Sequence, residues 1–263
     1  MSGPEPEPAI VITGASSGLG REIARLAAAD GQPLVLIGRA QDRLDALVRE
    51  LQDKGAVAFP LSVDLQRPNS VAEIDALLSV HNLCCDVLVN SAGFGVFGPV
   101  AETDMSTQVS LIDVNIKAPL ALTLRYLPGM IARRRGGILN LGSITGFAPG
   151  PFMASYCASK AFIQSLSAAL SAEVAGTGVT VTCVSPGIVR TAFFDRELMQ
   201  RSRMTKILPH GGVSQAARAA WTAFRAGRSH VVPRFIDRFV IGVCWLTPTP
   251  LLARLIAALQ RTR

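Results

Sequence analysis

Histidine is scarce in this sequence: His81, His210 and His230 are scattered through 263 residues and offer no metal-ligand grouping, so no metal site is expected. Cysteine is nearly as sparse. Cys84, Cys85, Cys157, Cys183 and Cys244 are odd in number and carry no metal-ligand spacing, which fits reduced thiols in a cytoplasmic compartment. Acid falls short of base, 19 Asp and Glu against 26 Lys and Arg, and only Lys54, Lys117, Lys160 and Lys206 are lysine. A net charge of +7 suits nucleic acid, an anionic membrane surface or a phosphorylated ligand. No zinc-finger spacing, RNA-binding signature or helix-turn-helix pattern supports the first, so nucleic acid is set aside as a partner. The N-terminal MSGPEPEP lacks the basic and apolar regions of a signal peptide, and residues 1–7 read as a flexible tail. No internal repeat is present.

What is there is apolar. Nearly half the residues are hydrophobic, and 263 residues suffice for one large α/β core. Residues 9–13 read as a short strand, followed by Gly14, Gly18 and Gly20 and then by REIARLAAA, whose apolar spacing is helical. Glycines let a backbone approach a pyrophosphate, and the free N–H groups of a helix start attract anions. The spacing Gly-x-x-x-Gly-x-Gly is not the Gly-x-Gly-x-x-Gly dinucleotide fingerprint, so by itself it is equally a tight strand-to-helix turn.

The second strand, PLVLIGR, ends in Gly38 and Arg39, where an NAD enzyme would place an acid on the ribose hydroxyls. A guanidinium there suits a 2′-phosphate. The plain alternative is a surface Arg opening the helix AQDRLDALVREL, and Arg43 is either a second phosphate contact or a solvated charge. Further strands read at AVAFPLSVDL, DVLVN, GGILNLGS, VTVTCVSPGIVRT and SHVVP, with helical stretches between them, including 105–133. After the fourth strand come Asn90, Ser91, Ala92 and Gly93, where Gly93 fits close backbone approach to a cofactor. This alternation predicts a single α/β domain over 1–263: a Rossmann-type, doubly wound, seven-stranded parallel sheet with helices on both faces.

The densest chemistry lies in SITGFAPGPFMASYCASK, residues 143–160. Ser143 follows the fifth strand, so its hydroxyl projects from a strand's carboxyl end, where open α/β sheets bind ligands. Tyr156 and Lys160 are four apart on a helix expected over 154–174, and an ammonium beside a phenol lowers the phenol's pKa toward working pH. Alone, such a pair is a packed ring and a solvated amine. Thirteen positions separate Ser143 from Tyr156, Asn115 lies upstream in LIDVNIKAPL, and the chain opens with TGASSGLG. Together these resemble the single-domain type of the short-chain dehydrogenase/reductase family over residues 9–232.

The resemblance implies an NADP-dependent oxidoreductase moving a hydride between NADPH and a carbonyl or secondary alcohol. It assigns catalysis to Asn115, Ser143, Tyr156 and Lys160, with Asn115 holding a distorted turn and a water that links the lysine to solvent; Lys117 reads as merely solvated. It assigns the cofactor to Gly14, Ser16, Ser17, Gly18, Leu19 and Gly20 in the first turn, to Arg39, and to Asp64 and Leu65 beside the adenine. Asn90, Ala92, Gly93, Tyr156 and Lys160 continue that site, and Pro186, Ile188 and Thr191 close it over the nicotinamide. Ser91 departs from the family's usual Asn-Asn-Ala-Gly, which should alter hydrogen bonding in the sheet without removing cofactor binding. Homodimers or homotetramers are a further family expectation. The rivals are a non-catalytic NAD(P)-binding redox sensor, which needs the glycine turn but not the Ser, Tyr and Lys, and a nucleotide-sugar epimerase or dehydratase.

Two stretches bear on the substrate. Residues 192–209, with Phe193, Phe194 and Met199, are the expected lid, and with Phe94, Phe97, Phe147 and Phe152 near strand ends they favour a lipophilic substrate. The extension 233–263 is broken at 247–250 and contains Arg254, so neither half has the roughly 20 uninterrupted apolar residues a spanning helix needs. Two short helices are expected, the second with an apolar face of Leu251, Leu252, Leu255, Ile256 and Leu259. That face can cover the substrate mouth, pack on a second subunit or lie on a membrane, so a cytoplasmic location is expected with peripheral membrane contact as the variant.

Overall fold

The structure, a computed structural model, describes residues 5–189 and 210–260. Strands β1 (Glu7–Thr13), β2 (Leu34–Gly38), β3 (Ala58–Ser62), β4 (Leu83–Asn90), β5 (Gly137–Leu141), β6 (Thr180–Val184) and β7 (His230–Val231) form one sheet in the order 3-2-1-4-5-6-7. Every pairing is parallel. The order reverses between β1 and β4, so a crevice opens at the carboxyl ends of those two strands, which is where such sheets hold ligands.

Helices α1 (Gly18–Ala27), α2 (Gln41–Gln52) and α7 (Val213–Arg225) cover one face. Helices α3 (Ser70–Val80), α5 (Ala118–Ala132) and α6 (Ala154–Glu173) cover the other. The strands are apolar on both sides because each side meets a helix layer. Along β1 and β2, Ile10, Ile12, Leu34 and Leu36 pack with Ile23, Leu47 and Trp221, while Val11, Val35 and Ile37 pack with Ile74, Leu122 and Met130. Beyond the sheet lie α4 (Met105–Ile112), α8 (Phe235–Leu246) and α9 (Thr249–Gln260), the last two matching the expected pair of C-terminal helices.

Two sequence expectations need correction, and a third gains detail. Strand β1 starts at Glu7, whose N–H donates to the Asn82 carbonyl at 2.8 Å, so residue 7 belongs to the sheet and not to a tail. The mainly helical stretch 105–133 contains, at Asn115, the distorted turn expected there, a π turn over Asp113–Lys117. Pro119 has no N–H to give the Asn115 carbonyl, so the ladder widens there and continues as α5. Lys117 is not simply solvated: it pairs with Asp113, four residues back, at 2.7 Å.

One side chain ties the two strands of the crevice together. Thr13 Oγ1 donates to the Val89 carbonyl at 3.2 Å and accepts from the N–H groups of Ser91 and Ala92 at 3.0 and 3.1 Å. Thr13→Val should cost about 1–3 kcal/mol for each group left unpaired. Urea unfolding would measure it, and Thr13→Ser should restore most of the loss.

Candidate active site

Helix α6 carries Tyr156 and Lys160 inward; both are buried. Lys160 Nζ donates to the Leu141 carbonyl at 2.8 Å and sits 5.8 Å from the Tyr156 ring centre. Ser143, just past β5, opens a short 3-10 turn (Ile144–Phe147) and is also buried. Its hydroxyl accepts from the Thr145 N–H at 3.2 Å and the Thr145 hydroxyl at 2.9 Å. The Ser143 and Thr145 hydroxyls hydrogen-bond the Tyr156 phenol. Asn115, in the π turn, accepts from the Phe94 N–H at 3.0 Å and donates to the Phe94 carbonyl at 2.9 Å and to Ser159 Oγ at 3.1 Å. A Cβ at Gly93 would stand 3.1 Å from Asn115 Oδ1 and 3.7 Å from Lys160 Nζ, so that glycine keeps the crevice floor open. The structure therefore brings Asn115, Ser143, Tyr156, Lys160 and Gly93 together from four separate segments, Tyr156 and Lys160 sharing α6.

The electrostatics depart from the sequence expectation. Burial pushes the Tyr156 phenol well above its ordinary range, with Cys157 adding to the rise and the Ser143 and Thr145 hydroxyls opposing it. Burial also pulls the Lys160 amine down, to about 8. The lysine thus does not bring the phenol's pKa below its ordinary value. Its own charge is weakened by burial, and it lies over the ring rather than against the oxygen.

The opposite wall is a set of open donors. Gly14 and Gly18 have left-handed φ of 69° and 57°, and a Cβ at Gly14 would meet the Ala92 backbone at 2.8 Å. Helix α1 has no acid in its first turn, and the Ser17 side chain makes no capping hydrogen bond, so the N–H groups there face an anion's position uncovered. Ser16 lies beside Gly38, and Val63 N–H donates to the Gly38 carbonyl at 3.0 Å, which sets Arg39 and Asp64 along one edge of the turn. Arg39 is exposed and forms no ion pair among the described residues. Asp64 Oδ1 accepts from the Gln66 N–H at 3.1 Å, which closes the turn after β3. These donors, with an amine that gives a single hydrogen bond, fit a phosphorylated dinucleotide. The Asn90 side chain donates to Asn140 inside the sheet at 2.8 Å.

Across the crevice, the Ile144 N–H donates to the Pro186 carbonyl at 3.1 Å, and the Ile188 carbonyl accepts from Gly211 at 2.7 Å. The Gly187 N–H donates to Asp237 Oδ2 at 3.2 Å, and Arg234 grips both oxygens of Asp237 at 2.8 and 2.6 Å. Thr191 and the expected lid over 192–209 lie outside the described residues. Of the four phenylalanines, Phe94, Phe97 and Phe152 form one apolar cluster with Tyr156. Phe152 is held at φ 65°, a strained conformation for a bulky residue, at the edge of the site. Phe147 turns away, edge-on to His230 and Trp245.

Sequence reasoning missed Thr145, Gln164 and the Arg234–Asp237 pair. Gln164 Nε2 donates to the Ser143 carbonyl at 2.6 Å and to Ser185 Oγ at 3.0 Å, and its place one turn beyond Lys160 on the same helix face was a readable signal. Thr145 was signalled only by its nearness to Ser143.

The profile of the family described as short chain dehydrogenase matches residues 8–201. An uncharacterized oxidoreductase of Staphylococcus saprophyticus is 40% identical over 182 residues, covering 69% of this chain and 78% of that protein. A very-long-chain 3-oxoacyl-CoA reductase of Phaeosphaeria nodorum is 37% identical over 187 residues, 69% of this chain but only 55% of that protein. The chain thus spans little more than half of some relatives it matches. Among solved structures, a short-chain dehydrogenase from Sphingobium yanoikuyae in complex with NADPH superposes with a TM-score of 0.79 at 30% identity, covering 92% of this chain and 96% of that one.

Burial of Lys160 has a thermodynamic signature. Below pH 8 the amine is charged in folded and unfolded chains alike and folding bears its desolvation; between about 8 and its ordinary 10.5 only the unfolded chain holds the proton, so stability rises with pH. Lys160→Met should therefore raise the unfolding free energy at pH 7, read by urea titration, by about 3 kcal/mol at most, with the gain vanishing toward pH 10.5.

Proposed function

The chain belongs to the short-chain dehydrogenase/reductase family, and on that premise we propose that it transfers a hydride between NADPH and a carbonyl or secondary alcohol of a lipophilic substrate. One observation carries the reading: the Ser143 hydroxyl, Tyr156 phenol and Lys160 amine are buried together at the carboxyl ends of the central strands, beside a turn of open N–H donors. A redox sensor on this fold would need the turn alone.

The dinucleotide, when bound, supplies or accepts the hydride. The turn Gly14 to Gly20 and the start of α1 receive its pyrophosphate, and Arg39 its 2′-phosphate by planar, charge-assisted hydrogen bonds. Asp64, Leu65, Asn90, Ala92, Gly93, Pro186, Ile188 and Thr191 complete the bed. Lys160 keeps N–H groups beyond its bond to Leu141 and directs them to a ribose. In the reducing direction Ser143, fixed by Thr145, donates a hydrogen bond to the substrate oxygen as negative charge develops. Tyr156, kept protonated by burial at neutral pH, gives its proton to that oxygen. Lys160 then returns a proton to the phenolate and recovers one from solvent through a water held at the Asn115 turn. The cluster of Phe94, Phe97 and Phe152 excludes water and favours an apolar substrate body. The NADPH complex of the Sphingobium yanoikuyae relative supports the cofactor. Exposed Val109 on α4 and Leu124 on α5 support assembly as a homodimer or homotetramer, and five free thiols support the cytoplasm.

NADPH should bind at least tenfold tighter than NADH in a fluorescence titration, and Arg39→Ala should erase the difference; equal affinities in the parent chain would remove the NADP assignment. Tyr156→Phe should leave NADPH affinity nearly unchanged while turnover of a ketone panel of rising chain length falls by about 10² to 10⁴.

A further inference from the structure

Helices α8 and α9 turn apolar side chains outward. On α8, Phe235 and Leu246 are 82% and 88% exposed, with Phe239 between them at 63%. On α9, Leu251, Leu255 and Leu259 recur every four residues and are each about half exposed. The other sides of these helices are seated, through Asp237 and Ile241 on α8 and Leu252 and Gln260 on α9. Two consecutive helices with outward stripes of large apolar residues differ from the singly scattered ones of an ordinary surface.

The charges around these stripes have one sign. Within 233–260 the charged residues are Arg234, Asp237, Arg238 and Arg254. The lone acid, Asp237, is buried and held by Arg234. Exposed Arg238 gives one N–H to the Val232 carbonyl, and neither it nor exposed Arg254 forms an ion pair among the described residues. A second copy docking about a two-fold axis would set this surface against itself, arginine toward arginine with no acid to answer. Lipid phosphates supply the missing charge and acyl chains the apolar partner. The sequence adds Arg261 and Arg263 beyond α9. Each helix has 12 residues, roughly 18 Å at 1.5 Å per residue, against a hydrocarbon core of about 30 Å. No helix of the described residues is long and apolar enough to cross a membrane.

We propose that α8 and α9 form a docking surface for an anionic bilayer, lying in its interface with the phenylalanines and leucines among the acyl chains and the arginines at the phosphates. This stands apart from the redox chemistry, and its test needs no turnover. The full chain would be sedimented with vesicles of phosphatidylcholine alone and of phosphatidylcholine mixed with phosphatidylglycerol, while tryptophan emission is followed. Trp221 is buried and Trp245 is 72% exposed, so a change of emission reports α8. Expected are co-sedimentation with the anionic vesicles that weakens as salt rises, and a blue shift of emission. Phe239→Ser combined with Leu255→Ser should lower vesicle affinity at least tenfold with an unchanged melting temperature, and Arg238→Gln combined with Arg254→Gln should do so for the anionic vesicles. No binding, or equal binding to both vesicle types, overturns the proposal. So does lipid-free self-association that Phe239→Ser abolishes, which would make a second copy the occupant.

Discussion

An amine taken out of water is the constraint on which the centre of this protein depends. Lys160 is buried with the Leu141 carbonyl as its hydrogen-bond acceptor, and burial draws its pKa down to about 8. One acceptor does not replace the water such a group loses, so the position is stable only because the fold as a whole holds α6 against β5. A ligand bringing further oxygen atoms would improve the lysine's situation. Its surroundings leave space for one: residue 93 has no side chain, and Asn115 is anchored to Phe94 and Ser159 and so does not swing across the opening. The same burial keeps the Tyr156 phenol protonated. Phenol and amine are therefore both shifted by desolvation, in opposite directions.

That arrangement needs segments far apart in sequence to end at the same height. A parallel sheet does this because every strand runs the same way and delivers its carboxyl end to one edge. Thr13 at the end of β1 pins the chain as it leaves β4, and Asn90 and Asn140 pin β4 to β5 through their side chains. Asn140 in turn donates to Ser167 of α6 at 2.9 Å, the helix that carries Tyr156 and Lys160. Buried polar links of this kind set register where apolar packing alone tolerates a slip.

Much of this was legible in the sequence because it is local. Continuous apolar runs, the glycine turn and the four-residue step from Tyr156 to Lys160 are patterns of a few residues; the strands follow from the first, and the site from the family resemblance that the others carry. The effect of Lys160 on Tyr156 was not legible, since desolvation is a sum over every neighbour and no single residue announces it. The π turn was half visible: Asn115 stood out, but the consequence of Pro119 depends on whether the chain stays helical past it. Gln164 could have been found by continuing one turn along α6. Asp237 could not, because it meets the Gly187 N–H across 50 positions and no motif joins the two.

The Asp237 contact also changes what the C-terminal helices are. A Cβ at residue 187 would stand 2.3 Å from Asp237 Oδ1 and 2.6 Å from an Arg234 nitrogen, so the glycine after Pro186 is required by α8 packed against it, beyond any need of the turn itself. From its other end α8 reaches the site again: Trp245 meets Phe147, Phe147 meets His230, and His230 Nε2 lies 3.0 Å from Ser185 Oγ, which accepts from Gln164. Gln164 then holds the Ser143 carbonyl. A shift of α8 thus has two physical routes inward, one through the backbone at 187 and one through rings and amide to the serine. What the sequence presents as an extension beyond the dinucleotide fold is, by these contacts, fastened to the loop after β6 and to the turn after β5, and its outward stripe and its inward grip belong to one helix.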